Sequence, residues 1–147
     1  MEISIDRTLK VYNKGKPLIF KTPIINIPFG LEKNYNNLIV KLELPKNKIF
    51  SNMILSLEHK FCELLNIDEI TSQLRPSKNM NFGDLLTTKI IKYKDKTDID
   101  IDRNDKMDTL SSLKKGDKGI ATIEIDKLWK YNEKYTYKIK LKSLALL

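Results

Sequence analysis

Cysteine is nearly missing from this chain. Cys62 stands alone among 147 residues, so no internal disulfide can staple the fold. Histidine is as scarce: His59 lies one helical turn before Cys62, and two such ligands do not make a closed zinc site. Cys62 has only that histidine as a base, so no nucleophile arrangement is readable. The five glycines form neither GxxxxGK[ST] nor GxGxxG, which removes two common phosphate-cradling loops. No apolar run approaches the roughly eighteen residues that cross a bilayer. The start, Met1 to Asp6, lacks the basic-then-apolar order of a signal peptide. These absences lead us to expect an intracellular, non-enzymatic protein with no cofactor, no metal and no membrane.

What is present is charge and strand-forming sequence. Apolar residues make up 41% and charged residues 31%, a globular balance, and residues 1–147 are expected to form one domain. The net charge is +8, which suits a polyanionic partner. It is uneven: only the segment 95–116 is net acidic, at −1.

The clearest pattern lies at the end. Ala121, Ile123, Ile125 and Trp129 alternate with Thr122, Glu124 and Lys130, and Tyr135, Tyr137, Ile139 and Leu141 alternate with Lys138, Lys140 and Lys142. Two period-2 runs around the polar stretch Asn132–Lys134 predict a hairpin with one apolar and one basic face. Upstream, residues 3–12 predict one strand or two short ones, Asn13–Gly15 a turn, and 17–21 a returning strand. The prolines of 22–30 suggest an edge strand or ordered loop. Strands are also expected at 38–44, at 70–74, across 85–93 and along 97–102, with a turn over 94–96 and one helical turn at 109–113. One stretch, 48–65, has helical spacing: Phe50, Met53, Ile54, Leu57, Phe61, Leu64 and Leu65 form a stripe, with Asn47 able to cap it. About seven or eight strands and one helix predict a mostly β fold, a barrel or sandwich.

Several pieces in this order carry a resemblance. They are Thr22-Pro23 through Pro28-Phe29-Gly30, the strand Tyr35 to Leu44, the amphipathic helix and Ser77. Then come the basic strand ending at Tyr93, the alternating 97–101, Leu113–Gly116, the aliphatic run 120–125 with Leu128-Trp129, and Tyr137 to Leu141. Over roughly residues 20–145 the chain resembles the OB-fold single-stranded DNA-binding proteins of large nucleocytoplasmic DNA viruses. The resemblance implies an OB-like antiparallel barrel and sequence-tolerant binding of single-stranded DNA in viral replication, recombination or repair. It also implies residence in the cytoplasm or viral replication site of an infected cell, or packaging in the virion. The chain departs from the family in lacking a glycine before the last strand, in placing Lys130 after Trp129, and in carrying its helix early.

For binding, the lysines Lys89, Lys92, Lys127, Lys130, Lys138, Lys140 and Lys142 are candidates to follow a phosphate backbone. Tyr93, Trp129, Tyr131 and Tyr135 are candidate stacking platforms. The bland reading of the lysines is a solvated sheet face. Trp129 shares parity with Ile123 and Ile125, which turns it to the core unless a bulge near Asp126 reverses it. Phe29 is expected to plug a barrel end. Asp98, Asp100 and Asp102 have the first spacing of a Ca²⁺ loop, but Arg103 and Thr109 stand where glycine and glutamate are needed. An acidic strip bordering the binding face fits them better. Two other functions stay open: a protein-interaction or virion structural module, and a metal-dependent nuclease built on those aspartates with Glu124 or Asp126. Self-association, replication-protein partners and RNA in place of DNA stay open as well.

Overall fold

The computed structural model describes residues 1–94 and 96–147. Asp95, where the turn over 94–96 and the acidic segment fall, lies outside them. Turns, bulges and breaks cut the long alternating runs into sixteen short strands among the described residues, more than the seven or eight expected. β1 (Ile3–Ile5), β2 (Val11–Asn13) and β3 (Lys16–Lys21) form an antiparallel meander. Lys14 and Gly15, both at positive φ, make its second turn. Then come β4 (Ile25–Ile27), β5 (Leu31–Asn34), β6 (Asn37–Glu43), helix α1 (Ile49–Leu65), β7 (Leu74–Arg75) and β8 (Leu85–Ile90). β9 (Lys92–Tyr93) and β10 (Lys96–Thr97) form a small separate hairpin. β11 (Asp100–Arg103), β12 (Lys106–Asp108) and a 3-10 turn at Leu110–Ser112 lead to β13 (Asp117–Ile125). β14 (Leu128–Tyr131), β15 (Lys134–Tyr137) and β16 (Lys140–Leu146) end the chain.

Five strands close a barrel in the order β4-β6-β8-β16-β13, with β13 returning to β4. The β8–β16 pair is parallel and the other four are antiparallel. Four antiparallel pairs and one parallel closure give the OB-like topology expected. The barrel strands turn alternate aliphatics inward: Ile25 and Ile27, Val40 and Leu42, Leu86 and Ile90, Ile123 and Ile125, and Leu144 and Leu146 are all buried, with Leu141 buried on the other side of a register shift in β16. Burying each is worth about 1.5–3 kcal/mol before the entropy of ordering is set against it. No helix among the described residues is long and apolar enough to cross a membrane.

The structure corrects the sequence reading in three places. β4 is no edge strand; it sits between β13 and β6, and its prolines flank it instead of interrupting it. Thr22 fills the break before β4: its Oγ accepts from the Ala121 N–H at 3.0 Å. The helical stripe is rotated. Leu64 is exposed, whereas Ser51 and Glu58 are buried. Glu58 is drawn inward because its carboxylate accepts hydrogen bonds from the Tyr137 hydroxyl and from Ser72 Oγ. Phe61 packs edge-on against the Tyr137 ring, 5.8 Å between centroids. Finally, the terminal hairpin forms but is interrupted: β13 pairs with β16, and β14 pairs with β15 beyond a break at Asp126-Lys127.

A charged cluster ties the acidic segment to the barrel. Arg103 on β11 donates to both carboxylate oxygens of Asp117 at 2.8 and 3.0 Å, to Asp108 at 3.1 Å and to the Ser112 carbonyl at 3.1 Å. The Arg103 guanidinium holds the buried Asp117 carboxyl below the usual carboxylate range and is itself held more firmly charged.

Candidate nucleic-acid interface

The break at Asp126-Lys127 builds the site. Its backbone turns away from the barrel to pair with the N-terminal strands: the Val11 N–H donates to the Asp126 carbonyl, and the Leu128 N–H to the Leu9 carbonyl, both at 2.9 Å. The interruption reverses the alternation. Leu128 is fully buried, and Trp129 is turned to the half-exposed outer face. Asn132 and Glu133, both at positive φ, close the β14–β15 turn in two residues. Opposite Trp129 stands Thr136, so Tyr131 and Lys138 share its face by period 2. Lys138 Nζ lies 4.6 Å from the centre of the Trp129 ring, a cation–π contact. Tyr135 belongs to the opposite face of this hairpin, opposite Lys130.

Lys89 completes the site from β8. The resulting open groove, about 330 Å³, is lined by Gln73, Lys89, Trp129, Lys130, Tyr131, Thr136, Tyr137 and Lys138. Gln73 fixes its wall by donating to the Tyr137 carbonyl at 2.9 Å. Five of the ten candidate residues therefore line one groove.

The lysines differ in electrostatics. Among the described residues no carboxylate pairs with Lys89 or Lys138. Burial, and then the neighbouring Lys138 charge, push the Lys89 ammonium below its usual range. An anion between the two would relieve that repulsion. Lys140 and Lys142 follow on β16, but their charges are already matched. Lys140 Nζ is 2.5 Å from Asp126, and Lys142 Nζ is 3.1 Å from Asp98 and 4.0 Å from Glu124.

The other candidates lie apart from this centre. Lys127 bridges to Lys10 beside the N-terminal strands. Lys130 borders the groove, yet its ammonium turns to the Tyr135 ring at 5.8 Å and to Glu133 at 3.6 Å. Lys92 and Tyr93 leave β8 for the β9–β10 hairpin. Lys92 lines a second cleft of about 730 Å³ with Lys33, Tyr35, Lys94 and Leu110. Sequence reasoning missed Gln73, Lys33, Tyr35 and Lys94 as lining residues. Nothing local in the stretch 33–37 tells that it faces the β9–β10 hairpin. Phe29 does not plug the barrel end: it is 44% exposed, with Lys41 Nζ 5.5 Å from its ring centre. Among the described residues no three of His, Cys, Asp and Glu gather as a metal site, and Asp98 faces Lys142 instead.

Fold and site together define an OB-like barrel carrying an open aromatic and basic groove. Among solved structures, the chain is similar to the single-stranded DNA-binding protein from bacteriophage Enc34 in complex with ssDNA. The TM-score is 0.63 at 8% identity, over 99% of this chain and 93% of that one. It is similar in the same measure to another structure of that phage protein, with a TM-score of 0.63 at 10% identity over 98% and 87% of the two chains. At such identity the likeness is one of fold. It reaches phage proteins, whereas the sequence pattern pointed to large nucleocytoplasmic DNA viruses. No protein-family model matches the sequence, and no characterised protein matches it in sequence.

Proposed function

We propose that this protein is a non-catalytic, sequence-tolerant single-stranded DNA-binding protein that serves viral-type DNA replication, recombination or repair inside an infected cell. The observation that carries the reading is the Trp129 groove, where an outward indole stands beside two lysines that have no carboxylate partner among the described residues. Phosphates would lie between Lys89 and Lys138, and bases would stack on Trp129 and Tyr131. Stacking on a ring is sequence-tolerant because every base has a π-face, and it is worth about 1–3 kcal/mol per base. Paired bases cannot reach the rings, so single strands are preferred to duplex. The shared barrel with a phage protein captured on ssDNA supports the same reading.

The test is a titration of labelled oligo-dT, about thirty nucleotides and so longer than the roughly 4–16 that one OB fold covers. An equal duplex serves as control, at low and moderate salt. Binding to dT that weakens steeply with salt, and weaker binding to duplex, is expected. Absence of dT binding at low salt would overturn the proposal. Cleavage on adding Mg²⁺ or Mn²⁺ would replace it with the nuclease.

A further inference from the structure

A further cavity, apart from both the groove and the Lys92 cleft, opens on the same outer sheet face. It measures about 520 Å³, within the range of small-molecule sites. Pro28, Phe29, Pro76, Phe82 and Leu85 form its apolar walls, with Arg75 and Lys78 at its rim. Both rings are open to solvent: Phe82 is 60% exposed and Phe29 is 44% exposed. An apolar surface of this kind is costly to leave in water, so it asks for an occupant.

The walls are built to stay in place. The Gly83 N–H donates to Glu43 Oε2 at 2.9 Å, which ties the Phe82 loop to the end of β6. A Cβ on Gly83 would meet the Leu44 carbonyl oxygen at 1.7 Å, so only glycine lets the loop approach. Asp84 pins the other side by accepting from Lys48 Nζ at 2.8 Å and from the Ser77 N–H at 2.9 Å. Burial pushes the Asp84 carboxyl up, but these donors outweigh it and hold it low.

What the cavity takes follows from its continuity with the groove. On β8 the half-exposed Leu85, Thr87 and Lys89 alternate with buried Leu86, Thr88 and Ile90, so the three share the outer face. Leu85 lines the cavity and Lys89 lines the groove. One outward row of a single strand, about 13 Å long at roughly 3.3 Å per residue, joins the two sites. Lys41, opposite Thr87 on β6, adds a cation over Phe29, although Glu32 also approaches it at 3.6 Å. Arg75 and Lys78 have no carboxylate partner among the described residues. Exposed rings beside unpaired cations match a base attached to phosphate.

We propose that the Phe29–Phe82 cavity is a second base-binding subsite for the same DNA strand that crosses the Trp129 groove, with the outer row of β8 as the track between them. The proposal rests on the single-strand reading above and extends the footprint to the far end of β8. A strand that spans both sites is longer than one that fills the groove alone.

Anisotropy titrations with labelled dT of about four and about twelve nucleotides, within the usual range for one OB fold, separate the two sites. Phe82→Ala should weaken the longer oligonucleotide about tenfold, the scale of one lost stacking contact, and leave the shorter one within about twofold. Trp129→Ala should weaken both. A longer oligonucleotide carrying 5-iododeoxyuridine at one end should photo-cross-link to Phe29 or Phe82 in the wild-type protein, which keeps the test independent of how the variant folds. If the wild type binds dT, Phe82→Ala binds the longer oligonucleotide as wild type does, and no cross-link falls on residues 28–29 or 75–85, the subsite is refuted and the groove stands. The cavity would then be a protein-docking surface. If the wild type binds neither length, both readings fall together.

Discussion

Arg103 and Lys138 are both half-buried cations, and the molecule treats them in opposite ways. Arg103 is enclosed by two carboxylates and a carbonyl, supplied by β12, the 3-10 turn and the first residue of β13. Among the described residues Lys138 meets the face of Trp129 and no carboxylate, and its neighbour Lys89 is another cation. The Arg103 charge is consumed in holding β11, β12 and the 3-10 turn against β13. The lysine charges remain available to a ligand. A positive residue reveals its role by its partners, and net charge alone cannot separate the two.

The largest expected effect breaks the Arg103 side. Asp117→Asn removes the bidentate carboxylate and leaves Arg103 with Asp108 as its one charged partner among the described residues, beside the Ser112 carbonyl. The cost should be about 3 kcal/mol, at the lower end for a broken buried pair. Urea unfolding measures it, and dT affinity of the folded protein should not move. The same pair predicts acid sensitivity. The Asp117 pKa is lowered in the folded state, so its contribution is fully present above the unfolded value of about 3.9 and is lost as pH falls through the lower folded value. Stability that stays level from pH 5 to acid conditions, or that falls equally in Asp117→Asn, would contradict this assignment.

Next in size is Trp129→Ala, which removes the ring on which Lys138 rests. Loss of about 1–3 kcal/mol in dT binding is expected. Unchanged affinity with a lowered melting temperature would mean that the indole is packing. The double change Lys89→Ala with Lys138→Ala should flatten the dependence of log K on log salt by about 1.4, at roughly 0.7 for each phosphate contact on a single strand. The matched double change at Lys140 and Lys142 should flatten it less, because those ammoniums already face carboxylates.

Much of this comparison was legible in the sequence, and the rest was hidden for physical reasons. Alternation over 121–125 and 137–141 gave the barrel strands, because inward aliphatics and outward lysines follow directly from the pleat. The reversal at Trp129 depends on Asp126-Lys127 leaving the barrel to pair with Leu9 and Val11, more than a hundred residues earlier. No local pattern records such a contact. The inward turn of Glu58 was unreadable in the same way, since its donors come from Ser72 and Tyr137. The Phe29–Phe82 cavity was hidden because Phe82 lies in a polar loop, where a lone aromatic carries no periodic signal.

The smallest effect is the sharpest test of the comparison, because it gains function. Asp126→Asn takes the charge from the carboxylate 2.5 Å from Lys140 and leaves the backbone bond from Asp126 to Val11 in place. Lys140 pairs with Lys89 across the parallel β8–β16 closure, so its backbone stands next to the groove. With its partner neutral, the ammonium can turn to a phosphate. The salt slope should then steepen by up to about 0.7, one further contact on a single strand. Adding Lys140→Ala to Asp126→Asn should abolish that gain. A slope that stays at the wild-type value places Lys140 off the phosphate path and confines the path to Lys89 and Lys138. A gain that survives Lys140→Ala would instead show that Asp126 acts through its general field, and that ion pairing does not divide the lysines.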